Sequence, residues 1–127
     1  MTAPTVPLAF AIANNQTIEH QFTLAVGGDA GNIVTGSKIH MTVRPDPESQ
    51  DVILDASVEN GMLVVNDAPA GLVTLLVHAW KMRQIKAGSY VYDLIVERPT
   101  GRVYRLFAGD FDVSHGITAP TVTPPVT

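Results

Sequence analysis

Four histidines are the residues of this chain best suited to binding a metal ion or to moving a proton near neutral pH. They stand at positions 20, 40, 78 and 115, and none has the His-x-His, His-x-x-His or HExxH spacing that brings two ligands together. His20 is predicted to lie on the apolar face of a strand and His40 on an outward face, so these two side chains do not converge. The sequence therefore predicts no metal site.

Two carboxylates, Asp110 and Asp112, lie two positions apart in a run that alternates like a β-strand, which places them on the same face. A carboxylate pair serves acid–base catalysis when a cleft raises the pKa of one member. The sequence shows nothing that would build such a cleft around them. Outward-facing acids are typical of an edge strand that must avoid pairing with another sheet, and we favour that interpretation.

The glycine-rich loop and the serines do not match a site motif. Residues 27–32 read Gly-Gly-Asp-Ala-Gly-Asn and offer oxygen ligands for calcium, but they lack the acidic spacing and the closing Glu of an EF-hand. Such residues are typical of a turn. Ser57, Ser89 and Ser114 are outside a Gly-x-Ser-x-Gly setting, and the chain has no phosphate-binding glycine loop. The sequence therefore predicts a protein that is not an enzyme and needs no cofactor.

Large aromatic side chains form the remaining candidate site. A platform of Trp80, Tyr90, Tyr92 and Tyr104 would bind a sugar ring by stacking. The tyrosines, however, follow the spacing of strands, and aromatic residues at such positions pack a core more often than they bind a ligand. A glycan site is therefore the less favoured of the two interpretations.

The composition is that of a globular protein with few charges. Of the 127 residues, 46% are hydrophobic and 16% are charged, and 12 acidic and 8 basic residues give a net charge of −4. This balance, without a cluster of Lys and Arg, argues against a nucleic-acid partner. The absence of cysteine excludes disulfides and thiolate metal sites. No signal peptide is visible, and no apolar run approaches the roughly 18–20 residues of a membrane span, so we expect a soluble protein without a membrane partner.

Hydrophobic alternation predicts a series of short strands. They are expected at 17–26, 37–44, 51–58, 62–66 and 72–77, and a hairpin is expected over 87–113. Residues 78–87 are predicted to form a helix of about two turns that Gly88 caps. The side chains predicted to share the apolar faces of the strands are Ile18, His20, Phe22, Leu24, Val26, Ile39, Met41, Val43, Val52, Leu54, Ala56, Val58, Tyr90, Tyr92, Leu94 and Val96.

About seven to nine short strands separated by Gly and Pro turns predict an all-β fold, an immunoglobulin-like antiparallel β-sandwich with one short helical turn. A small β-barrel fits the same number of strands. The predicted sandwich domain covers residues 14–115. Residues 1–13 contain two prolines and are predicted to be an N-terminal arm or edge strand. Residues 116–127 are rich in Pro and Thr and are predicted to form an extended C-terminal arm.

The order of several short motifs supplies a resemblance. The first half contains Gln-Phe-Thr-Leu at 21–24, Gly-Asp-x-Gly-Asn at 28–32 and Met-Thr-Val-Arg at 41–44. In the second half, an apolar strand and a short helical turn precede Gly-x-Tyr-x-Tyr-Asp-Leu at 88–94. Thr100-Gly101, an internal Gly109 and Gly116-Ile117-Thr118 then follow. In this order the motifs, which cover most of residues 15–118, resemble a family of bacteriophage virion proteins.

The resemblance implies a non-enzymatic structural protein, a small immunoglobulin-like domain that joins a receptor-binding fibre or a baseplate part to the phage tail. It also implies other virion proteins as partners, a homo-oligomer in the particle, and a location in the virion after assembly in the host cytoplasm. A capsid decoration protein and a glycan- or receptor-binding module are the alternatives. The helical turn of the family is rich in Ala and Thr, whereas residues 80–83 here are Trp-Lys-Met-Arg, and we expect this edge to contact a partner.

We expect the two arms to mediate assembly by laying extended backbone and apolar side chains along neighbouring subunits. Deletion of residues 116–127 is expected to leave a folded domain that fails to enter particles. The residues expected to make assembly contacts are Pro4, Pro7, Phe10, Trp80, Met82, Ile117, Pro120, Val122, Pro124 and Pro125.

Overall fold

A computed structural model describes residues 6–24 and 33–121 of the chain. These residues form nine strands and one short helix. The elements are β1 (Val6–Pro7), β2 (Phe10–Ala13), β3 (Ile18–Thr23), β4 (Lys38–Arg44), β5 (Leu54–Ser57), β6 (Leu63–Asp67), β7 (Leu72–Val77), α1 (Ala79–Met82), β8 (Gly88–Glu97) and β9 (Val103–Ser114). No helix in this described part of the chain is long and apolar enough to cross a membrane.

The strands form two separate sheets. The larger sheet has the order β1-β9-β8-β4-β5, with β2 also paired to β9, and the smaller sheet has the order β3-β7-β6. All pairings are antiparallel except those of β1 and β2, which run parallel to β9. The described chain is thus an immunoglobulin-like β-sandwich, as predicted, and its strands do not close into a single barrel.

The larger sheet has two ends, which we name after the last and first residues of β9. At one end, which we call the Ser114 end, β9 finishes and β8 begins, because Gly88 pairs with Val113. At the opposite end, the Val103 end, β8 finishes and β9 begins, because Glu97 pairs with Val103. Strand β4 runs in the same direction as β9, since both are antiparallel to β8. The loop after Arg44 therefore leaves the sheet toward the Ser114 end.

The core lies between the sheets and follows the predicted alternation on most strands. The prediction that Val52 and Val58 face the core is wrong, because their side chains are 49% and 38% exposed. Strand β5 covers only Leu54–Ser57, and both valines lie in the flanking loops. The predicted core residues that the structure confirms are Ile18, Phe22, Leu24, Ile39, Met41, Val43, Leu54, Ala56, Tyr92, Leu94 and Val96. Val26 lies outside the described residues.

Strand β9 is not an edge strand. It pairs with β8 on one side and with β1 and β2 on the other, so the predicted role of Asp110 and Asp112 in protecting a sheet edge is wrong. Both acids are exposed on the outer face of the larger sheet and alternate with the buried Phe111 and Val113. A register shift opposite Leu94 and Ile95 inserts one extra residue, Leu106, which is buried.

Strands β1 and β2 occupy the edge of the larger sheet and are separated by a short interruption. The carbonyl of Leu8 in this interruption accepts a hydrogen bond from the Tyr92 hydroxyl at 2.7 Å. A Cβ at Gly109 would lie 2.2 Å from that same carbonyl oxygen. Only glycine at position 109 therefore lets the N-terminal strand approach β9 this closely. Pro7 lies at this edge, where its missing N–H costs the sheet no interior hydrogen bond.

The helix is shorter than predicted. Helix α1 covers Ala79–Met82, and hydrogen bonds between residues three apart continue the turn to Ile85. Met82 and Ile85 are both buried and hold the chain against the core before it enters β8. Gly88 is the first residue of β8 and does not cap the helix, which ends at Arg83.

Candidate functional site

The best-defined polar cluster of the molecule lies at the Ser114 end and centres on Asn14. Asn14 directly follows β2. It is 4% exposed, and it is the one polar residue that is buried in the described part of the chain. Its amide nitrogen donates to the carbonyl of Ile85 at 3.0 Å, and its amide oxygen accepts from the N–H of Gly116 at 2.9 Å. One side chain therefore joins the end of the N-terminal strand, the helical turn and the segment after β9.

Two neighbouring side chains complete this cluster, which we call the C-terminal clamp (Asn14, Asn15, Arg83 and Gly116). The side chain of Asn15 donates to the carbonyl of Thr118 at 3.0 Å, and Arg83 donates to the carbonyl of Gly116 at 3.5 Å. A Cβ at Gly116 would lie 2.1 Å from the Asn15 side chain, so this position requires glycine. The clamp fixes the backbone on both sides of Ile117, whose side chain is 96% exposed.

A tyrosine corner holds the adjoining start of β8. The hydroxyl of Tyr90 donates to the carbonyl of Lys86, four residues upstream, at 2.6 Å. This is the arrangement found near the start of the corresponding strand in immunoglobulin-like domains, where a cysteine stands two residues later. Here that later position is Tyr92. The Gly-x-Tyr-x-Tyr motif of the sequence is therefore a structural corner rather than a ligand site.

An aromatic cluster lies between the N-terminal strand and the two sheets. The ring of Phe10 on β2 lies 5.3 Å from that of Tyr92 and 5.6 Å from that of Phe111. His20 extends the cluster, since its ring lies 5.3 Å from Phe10 and 4.8 Å from Phe22. Three of these four contacts are edge-on, a favourable arrangement for aromatic rings, and together they anchor the N-terminal strand to both sheets.

Burial raises the pKa of Tyr92 from 10.0 to about 12. Because the folded pKa lies above the unfolded one, the neutral hydroxyl contributes fully to stability below pH 10, and this contribution is lost as the pH rises toward 12. We expect the free energy of unfolding to fall more steeply across this range in the wild type than in Tyr92→Phe. Urea unfolding at a series of pH values measures both, and parallel curves would contradict the assignment.

A half-open groove of about 320 Å³ lies on the outer face of the larger sheet. Asp93 on β8 pairs with Ala108, and Asp110 on β9 pairs with Val91, so the two acids lie in pairs of the β8–β9 ladder that are two positions apart and share one face of the sheet. The lining therefore combines carboxylates with guanidinium groups and a small apolar floor. The residues that line it are Thr42, Arg44, Pro47, Val91, Tyr92, Asp93, Arg105, Ala108, Gly109 and Asp110.

A smaller depression of about 230 Å³ lies at the Val103 end of the same sheet. Lys38, Glu97 and Val103 form one cross-strand row over β4, β8 and β9 and line its floor and rim. Glu97 is also bonded to His40, with 2.9 Å between the carboxylate oxygen and Nε2. The remaining lining residues are Gly36, Arg98, Pro99 and Gly101.

The residues that the sequence analysis expects to make assembly contacts do not lie together in the structure. Met82 is fully buried and Phe10 is 8% exposed, so their side chains pack the core and we remove them from the expected assembly contacts. Trp80 is half-buried and stacks on His78, with ring centroids 6.5 Å apart. Pro7, Ile117 and Pro120 have exposed or partly exposed side chains. The expected contacts that lie outside the described residues are Pro4, Val122, Pro124 and Pro125.

The other candidate groups are also dispersed. Tyr92 faces the core and Trp80 lies on α1, so the proposed sugar platform is not assembled. His20 packs among aromatic rings, whereas His40 bonds Glu97 on the outer face. Over residues 6–24 and 33–121, no group of three or more His, Cys, Asp or Glu side chains could hold a metal ion.

The C-terminal clamp was not predicted, because its partners are far apart in the sequence. Asn14 bonds to residues 71 and 102 positions away, and no local pattern signals such a contact. The one signal in the sequence was the motif Gly116-Ile117-Thr118, which drew attention to the segment after β9 but did not reveal its contacts with Asn14 and Asn15.

No protein-family model matches the chain, and no curated protein matches it in a search by sequence.

Proposed function

We propose that the protein is a non-enzymatic structural component of a bacteriophage virion, an adaptor in the tail, the baseplate or the region where fibres attach. The resemblance of residues 15–118 to phage virion proteins supports the phage assignment. The observation that carries the adaptor role is the C-terminal clamp, which holds the segment after β9 in a fixed direction and leaves Ile117 exposed.

The placement of the two ends of the domain supports a coupling role. The chain enters the larger sheet at Val6, which pairs with Phe107, and leaves it at Ser114. Strands β1 and β2 run parallel to β9. The point where the chain enters the sheet, opposite Phe107, and the point where it leaves, at Ser114, are therefore seven residues apart along β9, a distance of about 23 Å. A domain that the chain enters and leaves at different levels along β9 is suited to linking two neighbours along a line.

Other surfaces support an assembly role more weakly. Trp80 is partly exposed on α1, three residues before Arg83 of the C-terminal clamp, and a partner that contacts it could also reach the segment after Gly116. The charged groove around Asp93 and Asp110 favours a second candidate, a glycan- or receptor-binding module, because sugars are bound by carboxylate and guanidinium groups.

A pair of truncations tests the adaptor role. Deletion of residues 119–127 removes no clamp contact, so the domain should keep its stability within about 0.5 kcal/mol but fail to enter particles. Deletion of 116–127 also removes the N–H that bonds Asn14, so it should cost about 1–3 kcal/mol. The domain is still expected to fold after the longer deletion, as the sequence analysis expects, but with this lower stability. Urea unfolding and immunoblots of purified particles are the measurements, and normal incorporation of the shorter deletion would contradict the role of the arm.

Immuno-electron microscopy of purified particles locates the protein directly. Antibody against the recombinant domain should label a fixed position on the tail, the baseplate or the fibre attachment region. Labelling over the head would favour the capsid decoration alternative, and particles without label would overturn the virion assignment. A glycan array probed with the isolated domain should be silent for an adaptor, whereas specific binding that Asp93→Asn abolishes would favour the receptor-binding alternative.

A further inference from the structure

Strand β5 forms one edge of the larger sheet, because β4 pairs with it on one side and the strand order of the sheet ends there. An edge strand presents backbone N–H and C=O groups that can pair with a strand of another chain. In an antiparallel ladder, the N–H and the C=O of one residue point to the same side of the strand. The residues of β5 therefore point their backbone groups alternately toward β4 and toward the edge.

The side chain of Asn60, in the turn after β5, bonds the backbone at this edge. Its amide nitrogen donates to the carbonyl of Asp55 at 2.7 Å, and its amide oxygen accepts from the N–H of Ser57 at 3.0 Å. The backbone groups of Asp55 and Ser57 thus point away from β4. A side-chain amide has the donor and the acceptor of a peptide group, so Asn60 occupies the place that the backbone of an added strand would take.

Three further hydrogen bonds fix the turn that carries Asn60. The backbone N–H of Asn60 donates to the Ser57 hydroxyl at 3.2 Å, and its amide oxygen also accepts from the N–H of Met62 at 3.0 Å. The N–H of Gly61 donates to the carbonyl of Val58 at 3.2 Å. Gly61 has a φ of 82°, a conformation that favours glycine. The turn therefore holds the amide of Asn60 against β5.

We propose that Asn60 blocks the edge of β5, so that copies of the domain do not join their larger sheets into one continuous sheet. The bonds that Asn60 makes are those that antiparallel pairing of two β5 strands needs. With a two-fold axis at Ala56, Asp55 lies opposite Ser57 of the second copy, and the carbonyl of Asp55 and the N–H of Ser57 bond across the axis. Asn60 already occupies both groups.

Two other sheet edges are interrupted by different means. At the opposite edge of the larger sheet, Pro7 in β1 has no N–H to donate. In the smaller sheet, edge strand β6 has a register shift between Val65 and Asp67. Strand β5 has no proline and pairs regularly with β4, so its protection comes from the Asn60 side chain. This inference does not depend on the proposed function, because it concerns the isolated domain.

Asn60→Ala tests the proposal, because it frees two backbone groups at the edge of β5. In sedimentation velocity over a concentration series, the full-length variant should self-associate with a dissociation constant at least about tenfold below that of the wild type. The matched control is Asn66→Ala, which removes an amide that bonds the side chains of Gln21 and Thr74. This control should associate like the wild type. A folded Asn60→Ala variant that also does so would overturn the proposal.

A second substitution separates edge pairing from association caused by unfolding. In Asn60→Ala/Asp55→Pro, proline removes the N–H of residue 55 that points to the edge and leaves the bonds to β4 in place. This double variant should associate no more than the wild type, and association that persists would overturn the proposal. Circular dichroism checks that each variant is folded.

Hydrogen exchange tests the block in the wild type itself. The Ser57 amide points to an open sheet edge, yet its bond to Asn60 should slow exchange at least about tenfold relative to an unstructured peptide. Exchange at the rate of an unstructured peptide would overturn the proposal.

Discussion

Phe111→Ala is expected to lower the free energy of unfolding by about 3–5 kcal/mol, a large loss for a single residue. Phe111 is completely buried and lies in the centre of β9. Its ring stands 5.6 Å from that of Phe10 and 6.4 Å from that of Tyr92. Truncation therefore leaves a cavity and also removes the ring against which the N-terminal strand packs.

Urea unfolding followed by circular dichroism and by the fluorescence of the single tryptophan, Trp80, measures this loss. Val103→Ala is the matched control on the same strand, because Val103 is 54% exposed and its truncation should change stability by less than about 0.5 kcal/mol. A loss below about 1 kcal/mol for Phe111→Ala would show that the aromatic cluster does not hold the sandwich together.

Asn14→Ala is expected to cost about 2–3 kcal/mol, although it removes only a small polar side chain. The substitution leaves the carbonyl of Ile85 and the N–H of Gly116 without the side-chain partner that each now has. A buried polar group that loses its partner keeps the full cost of its removal from water. The cost therefore comes from the groups left behind, more than from the hydrogen bonds themselves.

The neighbouring residue provides a matched control for Asn14. Asn15→Ala removes a hydrogen bond to Thr118 that is exposed to solvent, so water replaces it and the cost should stay below about 1 kcal/mol. Urea unfolding of the two variants gives the comparison. Hydrogen exchange adds a local measure, since Asn14→Ala should speed exchange at the Gly116 amide. Equal losses for the two variants would contradict the clamp as described.

The fold was predictable wherever local alternation continues across a paired strand. Ile39, Met41 and Val43 of β4 face the core as the pattern predicts, because β8 pairs with β4 over its whole length and β5 pairs with it from His40 to Val43. Val52 and Val58 continue the alternation of β5 but lie beyond its pairing with β4, so the sheet does not bury them. A sequence pattern records polarity, whereas burial also requires a neighbouring strand.

The contacts that define the candidate site were less accessible to sequence reasoning. The parallel pairing of β2 with β9 and the bonds of Asn14 join opposite ends of the chain, which periodicity cannot reveal. The predicted length of the helix was wrong for a similar reason. Residues 79–85 have good helix propensity, but the buried Ile85 and the hydrogen bond from Tyr90 to Lys86 turn the chain into β8 after one turn.

The parallel pairing of the first strands with the last one also sets the order of events during synthesis. Phe10 pairs with Phe111, so β2 cannot find its place until nearly the whole domain has left the ribosome. The clamp that orders the backbone around Ile117 needs Asn14 and Gly116 together, and it is complete only after that step. An unfinished chain therefore lacks the hydrogen bonds that order the backbone around Ile117, and this order arises together with completion of the fold.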